Sequence, residues 1–457
     1  MTSPLPVLII GAGLGGLTLA HSLHNRSIPF HIYERDSAAF TRTQGYRINL
    51  SETGATGLKH ALPEEVYQRF VRTVGREKGP AGRVDARRGR VVGRGPLGII
   101  AAGGAGMVLA LLGRYVRGRN WARWVPFSSA WSAKEPLTLP GKGVDAHYPV
   151  DRGTLRTILL ETLPEECVTF DAPFSSYELA DKAVTVRFSN PSISPATGSL
   201  LVGADGVSSR VASQLIGPSF GAPLSLDTHV IYGRTPLAPL LEAGLHPQLH
   251  EGTGFVTDEE GAAGTEGKRI LLVCEAMRFD RETADEALPE EDYFFWALTA
   301  RKEVFSSAKG EGGEEESPTA LSLRLTSSWH PSLRPIFTLA SPSSPSLIRL
   351  STSPPFPHSL SWPTNPLVTL LGDAVHAMPP TGGAGANTAL WDAALLGMAL
   401  GRAREEKGEG KGGEGGKGWS VETVREYEEG MRYNVGDIVG LACIGLERLI
   451  GAKKVVE

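Results

Sequence analysis

The chain alternates short apolar runs with stretches of helical spacing, the rhythm of strands and helices packed in layers. Residues 7–10 are wholly apolar, as a parallel strand buried on both faces should be. Residues 14–23 place apolar side chains at helical spacing, and 30–33 form a second short strand. Further strands are predicted at 168–170, 184–188, 200–202, 229–232, 270–273 and 293–298, with another buried one at 367–371. A helix is predicted around 387–400, and 421–432 reads as a charged surface helix. No internal repeat interrupts this order. The fold class that follows is α/β, with a Rossmann-like domain, a mixed-sheet second domain and C-terminal helices.

Some stretches leave the pattern. Residues 306–317 and 404–418 are rich in Gly, Glu and Lys, and 341–361 in Ser and Pro. Such compositions bury too little apolar surface to fold alone, so all three read as solvated connectors. Residues 72–123 hold twelve Lys and Arg against two acids, Glu77 and Asp85, and 95–113 within them carry no charge. By length that run can span a bilayer. Its six glycines argue otherwise, as does the need for the segments on both sides to meet at one site. It reads as an inserted surface segment or as translated intron sequence, without stable membrane association.

Composition narrows the function. The chain has 457 residues, 41% hydrophobic and 21% charged, enough for two or three domains with a large core. A net charge of −4 argues against a nucleic-acid or membrane-surface binder. Cys167, Cys274 and Cys443 are far apart and in no metal spacing, so neither a metal site nor a disulfide framework is expected. The N-terminus enters a strand and a glycine loop directly, without the features of a secretory signal, and a cytoplasmic location is expected.

Three motifs carry chemistry. Gly11-Ala12-Gly13-Leu14-Gly15-Gly16 follows a strand and opens a helix, the context in which G-x-G-x-x-G binds a dinucleotide. Gly11 permits the tight turn, Gly13 lets the backbone approach a pyrophosphate, and Gly16 lets helix and strand pack closely. Glu34, ending the second strand, can accept both ribose hydroxyls and would repel a 2′-phosphate, which favours FAD or NAD there. Gly203-Ala204-Asp205-Gly206 is a second strand-to-turn junction, bearing Asp205. The third runs from Gly372-Asp373 through His376 to Gly382-Gly383-Ala384-Gly385-Ala386-Asn387. Asp373 can accept a hydrogen bond from a ribityl hydroxyl. Gly385 and Ala386 belong to a loop able to lay backbone N–H groups against a ligand that needs charge stabilisation. His376 reads as a structural histidine that hydrogen-bonds the loop rather than as a catalyst.

These motifs, in this order, resemble the flavoprotein monooxygenases typified by para-hydroxybenzoate hydroxylase. Two further stretches are similar to that family. Asp151-Arg152-Gly153-Thr154-Leu155-Arg156 resembles its D-R-x-x-L-R helix, which implies that Arg152 lies against FAD. Residues 44–50 resemble the strand beside the flavin, which makes Arg47 a candidate contact, although family members often carry a small residue there. The resemblance implies an FAD-dependent monooxygenase with NAD(P)H as transient co-substrate. Oxygen would be activated as a flavin C4a-hydroperoxide and passed to a small organic substrate by hydroxylation or epoxidation. It implies no fixed catalytic acid or base. A flavin oxidase or dehydrogenase on the same scaffold, or a non-catalytic flavoprotein, is the alternative. The W-x-W-x-I-P signature of halogenase relatives is absent.

The expected organisation is an FAD-binding domain in three parts, 1–70, 145–216 and 361–403, with an insertion at 71–144. A substrate domain occupies 217–360, a low-complexity linker 404–418 and a helical segment 419–457. Tyr232, Arg234, Phe294 and Trp296 are candidates to line the substrate pocket, at least half of them expected to be ordinary core.

Overall fold

The structure is a computed structural model, which describes residues 4–38, 47–76, 79–94, 137–140, 147–218, 222–261, 268–283, 285–306, 316–354, 362–409, 418–436 and 438–455. A five-stranded parallel sheet has the order Val368–Leu370, Leu200–Gly203, Val7–Ile10, Phe30–Tyr33, Val168–Thr169. Its central strands are buried along their whole length, which is why they read as unbroken apolar runs. The helices Leu14–Asn25, Glu52–Ala61, Ala384–Glu409 and Val421–Val435 pack together beside it. Contact is close at Gly57, where a Cβ would stand 2.7 Å from the Leu390 backbone.

The second large sheet is mixed and has seven strands, in the order Ser346–Thr352, Leu224–Pro236, Tyr293–Arg301, Ile270–Met277, Gly254–Asp258, Gly82–Asp85, Val91–Arg94. Alternation assigns its faces. Phe294, Trp296 and Leu298 point into a core with Leu321, Trp329, Ile336 and Phe337 on one side. Tyr293, Phe295 and Ala297 point to the other, which the helix Ile438–Ile450 covers in part with Cys443, Leu446 and Ile450. A two-stranded ribbon, Arg47–Leu50 against Tyr148–Asp151, joins the two large sheets.

Three expectations are corrected. Residues 82–94, inside the span read as an insertion, supply two strands of the seven-stranded sheet, with Gly82–Asp85 pairing in parallel to Gly254–Asp258. Arg83, Arg87 and Arg88, which made the segment look foreign, are matched by Glu259, Asp258 and Asp85. The Ser- and Pro-rich connector contains the edge strand Ser346–Thr352. The helix Val421–Val435 is charged but half sunk: Val424, Tyr427, Glu428, Met431 and Arg432 are buried. Among the described residues no helix is long and apolar enough to cross a membrane. The uncharged run 95–113 lies outside the described residues.

Candidate active site

The glycine loop sits where the first strand hands over to the helix Leu14–Asn25. Gly11 has φ +111°, and a Cβ on it would stand 2.4 Å from the Ala204 carbonyl oxygen. A Cβ on Gly16 would stand 2.1 Å from the Gly11 oxygen, so both glycines are required by the fold itself. Gly13 differs. It has ordinary extended geometry, φ −76° and ψ 175°, and a Cβ there would meet no atom within 4 Å. Nothing in the protein demands a glycine at 13. The helix it opens has no side-chain cap and no acid in its first turn, so its N-terminal dipole is left for an anionic ligand.

Glu34 lies under this loop. Its Oε2 accepts the Ala12 N–H at 2.7 Å and its Oε1 the Asp36 N–H at 3.0 Å. A carboxylate has about four acceptor positions, so each oxygen keeps capacity for a ribose hydroxyl. Asp205 is held differently. Its oxygens accept from the Ser209 hydroxyl at 2.5 Å and the Arg210 N–H at 2.8 Å, closing the turn before the helix Arg210–Ile216. The carboxylate therefore shapes the loop.

Asp373 stands at the end of the parallel strand Val368–Leu370. It keeps accessible surface, yet the protein around it pushes its carboxyl upward in pKa, against the pull of His376 and Arg152. Gly385 is its neighbour: a Cβ there would be 3.7 Å from Asp373 Oδ1. Gly385 and Ala386 form the first turn of the 26-residue helix Ala384–Glu409, which also begins without an acid. Asn387 fixes that turn, accepting the Ser51 N–H and donating to the Asn49 and Gly383 carbonyls.

Arg152 begins the helix Arg152–Glu161, capped by Asp151 through the Thr154 N–H at 2.8 Å. Burial lowers the Arg152 pKa, opposed by Asp373 and Tyr232. Tyr232, on the strand Leu224–Pro236, is pushed up to about 12 by burial, with Arg152 opposing. One turn beyond Arg152, Arg156 donates to the Ala12 carbonyl at 3.1 Å. The structure thus gathers the Gly11–Gly16 loop, Arg152, Asp373, Gly385 and Tyr232 from four distant parts of the sequence.

Arg47 is engaged elsewhere. Its guanidinium makes a bidentate pair with Glu275, at 2.8 and 2.5 Å, and lies over the Phe295 ring. Thr253 also donates to that carboxylate. Of the four pocket candidates, Tyr232 and Arg234 face the ribbon side of the sheet. Phe294 and Trp296 belong to the opposite core, and Phe295 takes their place. Sequence reasoning missed Arg156, Asn387 and Glu275. The i, i+4 spacing of Arg152 and Arg156 was a usable signal, and Asn387 lay in the quoted motif. Nothing local announced Glu275.

His376 is fully buried, its Nε2 2.6 Å from Asp392 Oδ2, an oxygen that also accepts the Gly372 N–H. The pair clasps the Gly372-Asp373 turn to the long helix, the structural part expected of it. Burial opposes a charged imidazole, but Asp392, and Asp373 beyond it, outweigh burial and raise the pKa. The pair therefore stabilises most below the unfolded histidine value of about 6.5, and this contribution is lost as pH rises through the raised folded value. His376→Gln should cost most in melting temperature near about pH 6 and progressively less above it. A cost independent of pH would show that the ring is held neutral throughout.

Comparison with known proteins places these loops. An FAD binding domain profile matches residues 364–413, and an NAD(P)-binding Rossmann-like domain profile matches residues 9–71. The chain is 33% identical over 421 residues to the dual O-methyltransferase/FAD-dependent monooxygenase elcB of Phaeosphaeria nodorum, covering 87% of this chain and 40% of the relative. It is 31% identical to the dual O-methyltransferase/FAD-dependent monooxygenase CTB3 of Cercospora beticola, covering 99% of this chain and 47% of the relative. The chain thus spans less than half the length of these two relatives. Among solved structures, Klebsiella pneumoniae HpxO complexed with FAD and uric acid superposes with a TM-score of 0.62 at 19% identity, covering 98% of this chain and 89% of that one. That likeness bears on the fold alone. One profile lies over the glycine loop and the other over the Gly-Asp loop, so this chain is similar at those loops to NAD(P)-binding Rossmann-like and FAD binding domains, and along most of its length to part of relatives named as FAD-dependent monooxygenases.

Proposed function

We propose that the chain is a monooxygenase that uses NAD(P)H and O2 to hydroxylate or epoxidise a small organic molecule on a bound FAD. The observation that carries this reading is the convergence of the glycine loop, the helix that begins at Arg152, Asp373 and the start of the helix Ala384–Glu409, with Asp373 and Tyr232 both within electrostatic reach of Arg152. The residues present fit the cofactor, since Gly13 leaves open the space a pyrophosphate needs and Asp373 offers a deep acceptor. When bound, FAD supplies the redox chemistry and the activation of oxygen.

The protein's part is to bind, orient and exclude water. Gly11, Gly13 and Gly16 with the helix behind them take the pyrophosphate, and Glu34 takes the ribose. Asp205 holds its loop in place, and Asp373 and Arg152 fix the ribityl and ring region. The backbone N–H groups of Gly385 and Ala386, in a first helical turn that holds no acid, would favour negative charge on a bound ring. The paired aromatic sheet opposite keeps water from the reacting region. Arg47 acts on the domain junction through Glu275 rather than on the cofactor.

Heating the purified holoprotein should release all flavin into solution as FAD, because nothing in the reading requires a covalent link. Release of FMN, or flavin retained on the denatured chain, would contradict it. The holoprotein should then consume NAD(P)H and oxygen together and deliver labelled oxygen from 18O2 into product. Peroxide formed without any oxygenated product would assign an oxidase instead.

A further inference from the structure

The face of the seven-stranded sheet turned toward the ribbon carries Tyr232, Phe295, Val273 and Phe255, half or wholly buried apolar and aromatic groups. Arg47, Arg152 and Arg234 also reach this region, the first two set against a carboxylate and the third against a phenol ring. Arg47 is held by both oxygens of Glu275, with side chains 11% and 1% exposed. Arg152 feels the opposite charge of Asp373. Arg234 lies over the ring of Tyr293, whose hydroxyl donates to Asp151 Oδ2 at 2.7 Å, so Arg234 and Asp151 act on one phenol.

We infer that this face accepts an uncharged aromatic molecule, and that Glu275 sets the preference by neutralising Arg47. The inference rests on the proposed oxygenase reading and narrows its substrate class. An arginine fork in an aromatic-walled site is the natural receptor for an aromatic carboxylate. Here the fork is already filled from within the protein, by a residue of the substrate sheet itself. A carboxylate substrate would bring an extra negative charge into a partly desolvated region that already holds Glu275, Asp151 and Asp373, and the Arg47 fork is not released to meet it. A neutral ring keeps the benefit of the aromatic wall, through stacking on Phe295 and Tyr232, without that penalty.

The test is calorimetric titration of the FAD-loaded protein with matched probes, 2-naphthol and 2-naphthoate, and the smaller pair phenol and benzoate. The wild type should bind the neutral member of a pair at least tenfold more tightly than the acid. Glu275→Gln, which leaves the Arg47 charge unmatched, should strengthen binding of the acid at least tenfold and close the gap. The double variant Arg47→Met/Glu275→Met removes both charges and should keep the wild-type preference, even if the single variant folds poorly. Preference of the wild type for the acids, an unchanged ratio in Glu275→Gln, or no binding of either neutral probe overturns the inference. Failure of the oxygenase reading looks different: NAD(P)H and oxygen would go unconsumed while the binding ratios stayed as expected.

Discussion

Gly13→Val abolishes FAD binding and leaves the apoprotein folded. The structure separates this glycine from its neighbours in the motif. A side chain at Gly16 would drive into the Gly11 carbonyl at 2.1 Å, so Gly16→Val disrupts the contact of helix and strand and the protein itself melts earlier. Among the described residues a Cβ at Gly13 meets no atom within 4 Å beyond its chain neighbours, and it suits the backbone angles already present. Its only victim is a ligand brought against the loop. The expected loss for Gly13→Val is at least a hundredfold in FAD affinity, about 3 kcal/mol. The flavin content of purified protein and the melting curve of the apoprotein measure the two effects separately. A Gly13→Val protein that keeps its flavin would remove the glycine loop from the cofactor site.

Glu428→Ala is the largest stability loss we expect from a single polar side chain. Glu428 is fully buried and accepts hydrogen bonds from Trp362 Nε1, Thr364 Oγ1, Thr369 Oγ1 and Arg432 Nη2. Arg432 in turn lies over the Trp362 ring, 4.4 Å from its centroid. Removing the carboxylate strands a buried guanidinium and three donors, and breaking such a pair costs about 3–5 kcal/mol. Replacing both partners, as Glu428→Leu/Arg432→Met, should recover most of that loss, because the desolvation of both charges disappears with them. Thr369 belongs to the strand that leads into Asp373, and Tyr427 beside Glu428 donates to the Leu370 carbonyl. Glu428→Ala should therefore also loosen flavin retention. Denaturant titration of the single and double variants decides the point, and a single variant within about 1 kcal/mol of wild type defeats it.

What was legible in the sequence was whatever depends on neighbours along the chain. The parallel strands stood out because both faces are buried, so every residue of 7–10 and of 200–203 is apolar. The glycine loop was legible because strand, turn and helix are contiguous. The strand Tyr293–Arg301 was found, but apolar on both sides, its sequence could not say which residues look toward the flavin domain. Of the four candidates, at least half of which were expected to be core, Phe294 and Trp296 lie in the core on one face, while Phe295 points to the other. The pairing of Arg47 with Glu275, 228 positions away, cannot be seen from its surroundings in the chain, where the resemblance made Arg47 a candidate cofactor contact. The helix Val421–Val435 read as surface for the same reason. Its buried charges are satisfied by Trp362, Thr364 and Thr369, partners of quite different sequence address. The strands at 82–94 were hidden by a basic composition that the acids of distant strands and turns neutralise.

The interleaving of the five-stranded sheet sets a timetable for biosynthesis. Of these strands Val7–Ile10 is made before its partner Leu200–Gly203, which comes far later, and the strand that completes that side, Val368–Leu370, is made about 360 residues after Val7–Ile10. At about 5–20 residues per second, that is a wait of roughly 20–70 s with an apolar edge unpaired. Pairing over such separations is also intrinsically slow once the chain is free. The nascent protein should therefore depend strongly on holding chaperones, and its soluble yield should rise when translation and temperature are both lowered.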